Sequence, residues 1–156
     1  FEVGAKADFL DGRLRLNSAL FWNEYSDKQE EVIEPAPAPA ITSTTVRNAS
    51  RARLRGFELE MNAVPVDWFR LDASLGYLDA RYLGFSTFAS TNQYVSTPPQ
   101  RPGTLIAADF SPNALRRAPE WTASASPTFF WSFGAADLSI NGLARYTSSQ
   151  VSEVLN

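Results

Sequence analysis

The sequence contains no cysteine and no histidine. Without cysteine, these 156 residues hold no disulfide bond, no thiolate nucleophile and no cysteine-ligated metal. Without histidine they lack Ser-His and Cys-His nucleophile pairs, the HExxH zinc motif, and the one side chain whose unperturbed pKa lies near neutrality. We therefore expect no enzyme active site and no cofactor in this chain.

Long apolar runs and an excess of positive charge are also missing. No apolar run reaches the roughly 18 residues that a membrane-spanning helix needs, and no charged-then-apolar signal peptide opens the chain. The formal net charge of −3 argues against a nucleic-acid partner, because neutralising phosphates requires surplus Lys and Arg. Since the chain begins inside a strand-like pattern, we expect a fragment whose targeting signal, if any, lies upstream.

What the sequence does contain is a period-two alternation of apolar and polar residues. From Phe1 to Leu10 the odd positions are apolar and the even ones mostly polar, which is typical of a half-exposed β-strand. Asp11-Gly12 follows, and this pair between alternating segments indicates a hairpin. Similar stretches cover about 13–27, 46–63, 69–82, 121–131 and 137–146.

The connections between these stretches alternate in length. Tight turns are predicted at 11–12, 64–68 and 132–135, and long loops at 28–45 and 84–117. Outer-membrane barrels have short periplasmic turns and long external loops, which are therefore expected on opposite edges of the sheet. A soluble sandwich has no reason to keep every second turn short.

Strand length supports the same interpretation. Five of the six stretches reach the ~9–11 residues that a tilted membrane-spanning strand needs, whereas strands of soluble sheets most often have about 5–6. The predicted fold is therefore all-β: an antiparallel up-and-down meander of about six long strands, with sequence neighbours paired, forming a segment of a transmembrane β-barrel.

One face of this sheet is predicted to be apolar and turned toward lipid. Its expected members are Leu14, Leu16, Leu20, Phe57, Leu59, Leu71, Leu75, Ala123, Phe129, Leu138 and Ile140. These residues would be exposed in a structure without lipid. In the alternative of a soluble carbohydrate-binding β-sandwich, they would instead pack into a dry interior against a second sheet.

Several stretches resemble the barrel strands of TonB-dependent receptors, in the order that family shows. The resemblance covers Phe1–Lys6, Leu10–Asn17, Ala19–Tyr25 with Gln29, Asn48-Ala49, Ala52–Glu60, Leu71–Ala80 and Ala118–Ala123. It implies a place in the bacterial outer membrane, among lipid and lipopolysaccharide, and TonB-driven import of a scarce solute such as a ferric siderophore, a cobalamin or an oligosaccharide.

The resemblance also implies that residues 1–156 are a partial barrel domain. TonB would act through a plug domain that is not visible in the sequence, nor is a closing strand. Six strands cannot close the roughly 22-stranded barrel of such transporters. A passive porin-like channel shares the strand pattern and remains the alternative; a plug encoded before Phe1 would distinguish the two.

Ligand-binding residues are expected in the long segment 84–117, because external loops on a rigid barrel are natural binding elements. A plain solvated loop is the alternative. The candidates offer hydrogen-bonding groups and one aromatic ring: Asn92, Gln93, Tyr94, Gln100 and Arg101.

Three other groups of residues have a functional and a simpler interpretation, and we favour the simpler one in each case. Arg51, Arg53 and Arg55 could bind anionic lipopolysaccharide or ligand, but fit a solvated strand extension. The carboxylates Glu58, Glu60, Asp72 and Glu120 fit lumen-facing positions better than acid-base catalysis. The aromatics Trp22, Tyr77, Trp121 and Trp131 fit interfacial girdles better than sugar-stacking platforms.

Overall fold

The computed structural model describes residues 1–36, 42–90, 105–111 and 113–152. Within these ranges the regular structure consists of β-strands, and no helix is long and apolar enough to cross a membrane. The strands are β1 (Glu2–Phe9), β2 (Leu14–Pro35), β3 (Thr42–Val66), β4 (Phe69–Ser90), β5 (Leu105–Asp109), β6 (Trp121–Phe133), β7 (Ala136–Asn141) and β8 (Ala144–Thr147).

The strands form one sheet in the order β1-β2-β3-β4-β6-β7, with β5 on β4 and β8 on β6. Antiparallel pairing joins β1 to β2, β4 to both β5 and β6, and β6 to both β7 and β8. The predicted all-β antiparallel fold is confirmed. The six predicted strands pair with their sequence neighbours, with β7 and β8 together forming the sixth. β5 is an additional strand, which folds back on β4 and leaves β6 as the next strand along the sheet.

The predicted sixth strand is present but interrupted between β7 and β8. The pairings on both sides of the gap share one offset, so that Pro127 of β6 faces Gly142. The Gly142 N–H donates to the Pro127 carbonyl at 2.9 Å, but proline has no N–H with which to return the bond. The ladder therefore loses one hydrogen bond there. This split and the additional strand β5 give eight strands among the described residues, where about six are predicted.

The chain divides into two compact units. Unit 1 comprises Phe1–Asn23, Leu54–Asp79 and Ala118–Gln150; unit 2 comprises Glu24–Arg53, Ala80–Arg117 and Val151–Asn156. The three tight turns fall within unit 1, whereas the connections that follow β2 and β4 fall within unit 2.

Unit 1 has one apolar face. Directly opposed residues of an antiparallel pair project to the same side of a sheet, and the register pairs apolar residues repeatedly: Phe9 with Leu14, Ala7 with Leu16, Val3 with Leu20, Leu75 with Ala123, Phe129 with both Phe69 and Ile140, and Trp131 with Leu138. Leu20 is 57% exposed and Ile140 53%. The described strands form a single sheet, so the sandwich alternative fails.

Unit 2 has a small buried core. Tyr82 and Phe85 are almost fully buried and stack with ring centroids 5.0 Å apart, and Phe110 lies against Phe85 at 6.1 Å. The β5 register and an isolated bridge between Arg81 and Ala114 share one offset along β4. β5 and Ala114 therefore both lie alongside β4.

Both predicted long loops contain strand, which corrects the expected boundaries. β2 continues to Pro35 and β3 begins at Thr42, so the connection is confined to 36–41 rather than 28–45. β4 continues to Ser90, and β5 lies inside the stretch predicted to be irregular. The physical reason is pairing within unit 2, where polar strand residues such as Glu30 find partners of opposite charge.

Candidate functional site

Unit 1 carries a group of aromatic side chains near the start of β6. Trp121 lies 4.8 Å from Tyr77 and 6.0 Å from Phe57, measured between ring centroids, and Phe57 lies 5.9 Å from Tyr77. On β2, Trp22 lies beneath the Arg55 guanidinium at 5.4 Å, a distance typical of a cation–π contact.

A second aromatic group lies near the other end of β6. Phe129 is 5.0 Å from Phe69, 6.3 Å from Trp68 and 5.9 Å from Trp131. Both groups lie on the apolar face and are separated on β6 by the small residues Ala123 and Ala125. Trp22, Tyr77, Trp121 and Trp131 thus take positions suited to two girdles of one apolar band.

The other face of unit 1 is polar and hydrogen-bonded across neighbouring strands. Its bonds join Arg15 to Asp8 at 2.7 Å, Asn17 to Glu60 at 3.2 Å, Asn62 to Asp72 at 2.6 Å, Ser74 to Ser124 at 2.8 Å and Asn141 to Ser126 at 2.9 Å. Two of the predicted lumen carboxylates, Glu60 and Asp72, therefore serve side-chain pairing. Among the described residues no group of carboxylates is arranged to hold a metal ion.

A cavity of about 500 Å³ opens in unit 2. It is lined by residues of β2, β3, β4 and the segment that precedes β6: Lys28, Gln29, Glu30, Glu31, Val46, Tyr82, Leu115, Arg116 and Arg117. Its volume falls within the roughly 300–1,000 Å³ of small-molecule pockets.

Glu30 is the centre of the bonding around this cavity. Its side chain is only 2% exposed and accepts three hydrogen bonds. Lys28 Nζ and the Tyr82 hydroxyl both donate to Oε1, the latter at 2.7 Å, and Arg116 donates to Oε2 at 2.8 Å. A buried carboxylate needs such partners, because an unpaired charge away from water is strongly disfavoured.

The protonation of this cluster follows from its contacts. Burial alone would raise the pKa of Glu30, but the hydrogen bonds from Lys28, Tyr82 and Arg116 outweigh it and hold the pKa below its usual range. Burial, together with the bond to the Glu30 carboxylate, raises the pKa of Tyr82 well above its ordinary value. At neutral pH, Glu30 is therefore ionised and Tyr82 is neutral.

Arg117 stands beside this cluster in an unusual backbone conformation. Its φ of 55° lies in the left-handed region, which residues other than glycine adopt at a cost. A backbone hydrogen bond from its N–H to the Val151 carbonyl, 2.9 Å long, holds it there. Arg116 is bound to Glu30 and, at 3.5 Å, to Glu31, whereas the Arg117 guanidinium has no ion-pair partner within the described ranges.

The predicted ligand residues Asn92, Gln93, Tyr94, Gln100 and Arg101 lie outside the described residues. The arginines of β3 do not act as one cluster. Arg55 binds Asp79 at 2.8 Å, Arg47 binds Glu34 at 2.8 Å, and the Arg51 guanidinium lies about 3.5 Å from the position a Cβ on Gly84 would occupy.

Sequence reasoning missed the cavity. The sequence pattern places Lys28 and Glu30 in the first predicted long loop and Tyr82 at the end of a predicted strand. Arg116 and Arg117 lie at the end of the second predicted loop. One signal was present: a charged stretch after Tyr25 that contains Lys28, Glu30 and Glu31, with a basic pair some 85 positions later. Nothing local in the sequence shows that these residues meet.

Known proteins resemble this chain over most of its length. A family described as TonB dependent receptor-like, beta-barrel matches residues 1–154. The probable TonB-dependent siderophore receptor PiuA of Acinetobacter baumannii is 36% identical over 80 residues, 51% of this chain and 10% of that protein. The metal-pseudopaline receptor CntO of Pseudomonas aeruginosa is 29% identical over 107 residues, 68% of this chain and 14% of that protein.

A solved structure agrees at the level of the fold. The crystal structure of the siderophore receptor PiuA from Acinetobacter baumannii superposes with a TM-score of 0.65 and 24% identity, covering 99% of this chain and 19% of that one. The chain therefore spans between a tenth and a fifth of the length of the relatives it matches. Because the family match covers nearly every residue, the chain belongs to the TonB-dependent receptor-like β-barrel family.

Proposed function

We propose that this chain forms part of the barrel wall of an outer-membrane receptor for TonB-driven uptake of a scarce solute, with a ferric siderophore or another metal chelate as the candidate. The observation that carries the proposal is the apolar face of unit 1, bounded by two groups of aromatic side chains. Membership of the family supports it, as do the siderophore and metal-pseudopaline receptors among the relatives.

The separation of the aromatic groups suits a bilayer. Trp121 and Phe129 are eight residues apart on β6, which corresponds to about 27 Å along a strand at ~3.4 Å per residue. With the usual tilt of about 35–45°, this becomes roughly 19–22 Å along the membrane normal, close to the ~25 Å apolar band of such barrels. The polar face with its Asp8–Arg15 and Asn62–Asp72 bonds would then face the lumen.

The connections fit an outer-membrane topology. The tight turns would lie in the periplasm and the connections after β2 and β4 outside the cell. Two candidates for solute contact then remain. One is the cavity of unit 2, and the other is the set of predicted loop residues Asn92, Gln93, Tyr94, Gln100 and Arg101. Lipid and lipopolysaccharide would surround the apolar face, and TonB would act through a plug domain encoded elsewhere in the complete protein, of which residues 1–156 would be a partial barrel domain.

The test is uptake by cells that carry the complete protein. Deleting its gene should abolish accumulation of the ⁵⁵Fe-labelled siderophore it serves, and complementation should restore it in a TonB-positive strain but not in a TonB-negative one. Uptake that persists without TonB would indicate a passive channel. Replacing the five candidate residues with alanine should weaken solute binding while leaving the amount of barrel in the outer membrane unchanged.

A further inference from the structure

We propose that the cavity of unit 2 binds a carboxylate group of the transported solute, and that Arg117 is the residue that contacts it. The inference rests on the proposed uptake function, whose solute class it narrows. Neither the family match nor the names of the relatives assign a role to this cavity or to Arg117.

The balance of charge around the cavity is the first argument. Its lining carries three cations, Lys28, Arg116 and Arg117, and two carboxylates, Glu30 and Glu31, which leaves a formal charge of +1. Lys28 is paired with Glu30, and Arg116 is paired with both Glu30 and Glu31. The surplus charge therefore lies at Arg117.

The backbone at Arg117 is the second argument. A left-handed φ at an arginine costs free energy that glycine would avoid, and asparagine would reduce. Such conformations occur in turns, as at Leu10 between β1 and β2, and they also cluster at ligand-binding sites. Arg117 differs from Leu10 because it lines a cavity. The hydrogen bond to Val151 fixes the backbone of Arg117 at the cavity wall, and the side chain extends from that fixed position.

The chemistry of the group favours a carboxylate. A guanidinium presents two parallel N–H donors that match the two oxygens of a carboxylate or a phosphate. The one unpaired guanidinium among the described lining residues neutralises a monoanion, whereas a dianion would leave one charge without a partner beside Glu31, and an unpaired charge taken out of water is strongly disfavoured. A monoanionic carboxylate is therefore favoured over inorganic phosphate, which is largely dianionic above about pH 7.

Benzoate is a suitable monocarboxylate probe, titrated against the complete receptor in detergent and observed by saturation-transfer NMR. Inorganic phosphate has no carbon-bound protons to observe, so its binding is measured by displacement of benzoate. We expect wild-type protein to bind benzoate more tightly than phosphate. Arg117→Gly and Arg117→Asn should each weaken benzoate binding about tenfold or more. Arg117→Lys keeps the charge but not the paired donors, so its affinity for benzoate should lie between that of wild type and that of the other two variants. Thermal stability of the Gly variant should equal or exceed that of wild type, because its φ is unstrained.

Arg51→Gln is the matched control, since Arg51 is an exposed arginine of unit 2 that does not line the cavity. It should bind benzoate as wild type does. Unchanged binding by folded Arg117→Asn protein, or no binding by wild type, would overturn the inference, and tighter binding of phosphate would overturn the carboxylate assignment. Benzoate binding needs no TonB, so a receptor that binds it through Arg117 but shows no TonB-dependent uptake would refute only the proposed function.

Discussion

Tyr82 donates its hydroxyl proton to Oε1 of Glu30 over 2.7 Å, and both residues are at least 97% buried. The bond joins β4 to β2, and Arg116 reaches the other carboxylate oxygen from the segment that precedes β6. One buried carboxylate thus ties that segment to two strands of unit 2. Its removal would leave two cations near each other without their shared counter-charge.

The first prediction concerns this carboxylate. Glu30→Gln removes the charge that Lys28 and Arg116 share, so the segment around Leu115 should open more often. We expect at least a tenfold loss of hydrogen-exchange protection at the Leu115 N–H, which bonds to the Ala80 carbonyl. Glu31→Gln is the control, because Glu31 is exposed and its distance to Arg116, 3.5 Å, is longer than the 2.8 Å between Arg116 and Glu30. Equal effects of the two variants would contradict the central position given to Glu30.

The second prediction follows from the lowered pKa of Glu30. A carboxyl whose folded-state pKa lies below its unfolded value, about 4.3, contributes stability above that value and loses it as pH falls through the folded-state pKa. Arg116 remains cationic there and Tyr82 remains neutral, so among these bonded groups the change of charge falls on Glu30. Protection at Leu115, corrected for intrinsic exchange, should fall as pH drops below about 4. Glu30→Gln should remove most of this dependence, and a Gln variant with the wild-type profile would assign it elsewhere.

The third prediction concerns the close approach of β3 and β4. A Cβ on Gly56 would lie 1.9 Å from the Tyr77 carbonyl oxygen, which is backbone and does not yield cheaply. Gly56→Ala should therefore separate the strands locally and reduce the yield of folded barrel in the outer membrane. Gly76→Ala is the matched control, because its Cβ would meet only the Thr122 side chain, at 2.8 Å, and a hydroxyl can rotate away. Similar folding of both variants in heat-modifiability gels would contradict the proposed close packing.

The sequence predicts the fold best where the alternation of apolar and polar residues has a single cause, namely a sheet with one apolar and one polar face. In unit 1 one face is apolar and the other polar, so period-two patterns set the strands and their faces, as the register of Leu75 with Ala123 shows. The interruption at Pro127 depends on which residue stands opposite. A single sequence shows the proline but not its partner Gly142.

Unit 2 was poorly predicted for a different reason. Its strands carry polar residues that are stabilised by pairing with residues far along the chain, such as Glu30 with Arg116. Local patterns treat such residues as solvated and predict a loop. Of the candidate site, the charged residues were visible in the sequence, but their meeting depends on β5 turning back along β4.

The last prediction tests the orientation of unit 1 toward lipid. Leu75 lies on the apolar face, opposite Ala123 and between the two aromatic groups, whereas Ser74 projects from the polar face and bonds to Ser124. Leu75→Arg should destabilise the complete barrel by about 2–4 kcal/mol if the residue lies near the bilayer midplane, and by less toward an interface. Ser74→Arg should cost much less, since its charge would meet the lumen. The measurement is guanidinium-induced unfolding in phospholipid vesicles, with reversibility established for each variant. A larger loss for Ser74→Arg than for Leu75→Arg would reverse the assignment of faces, and with it the observation on which the proposed function rests.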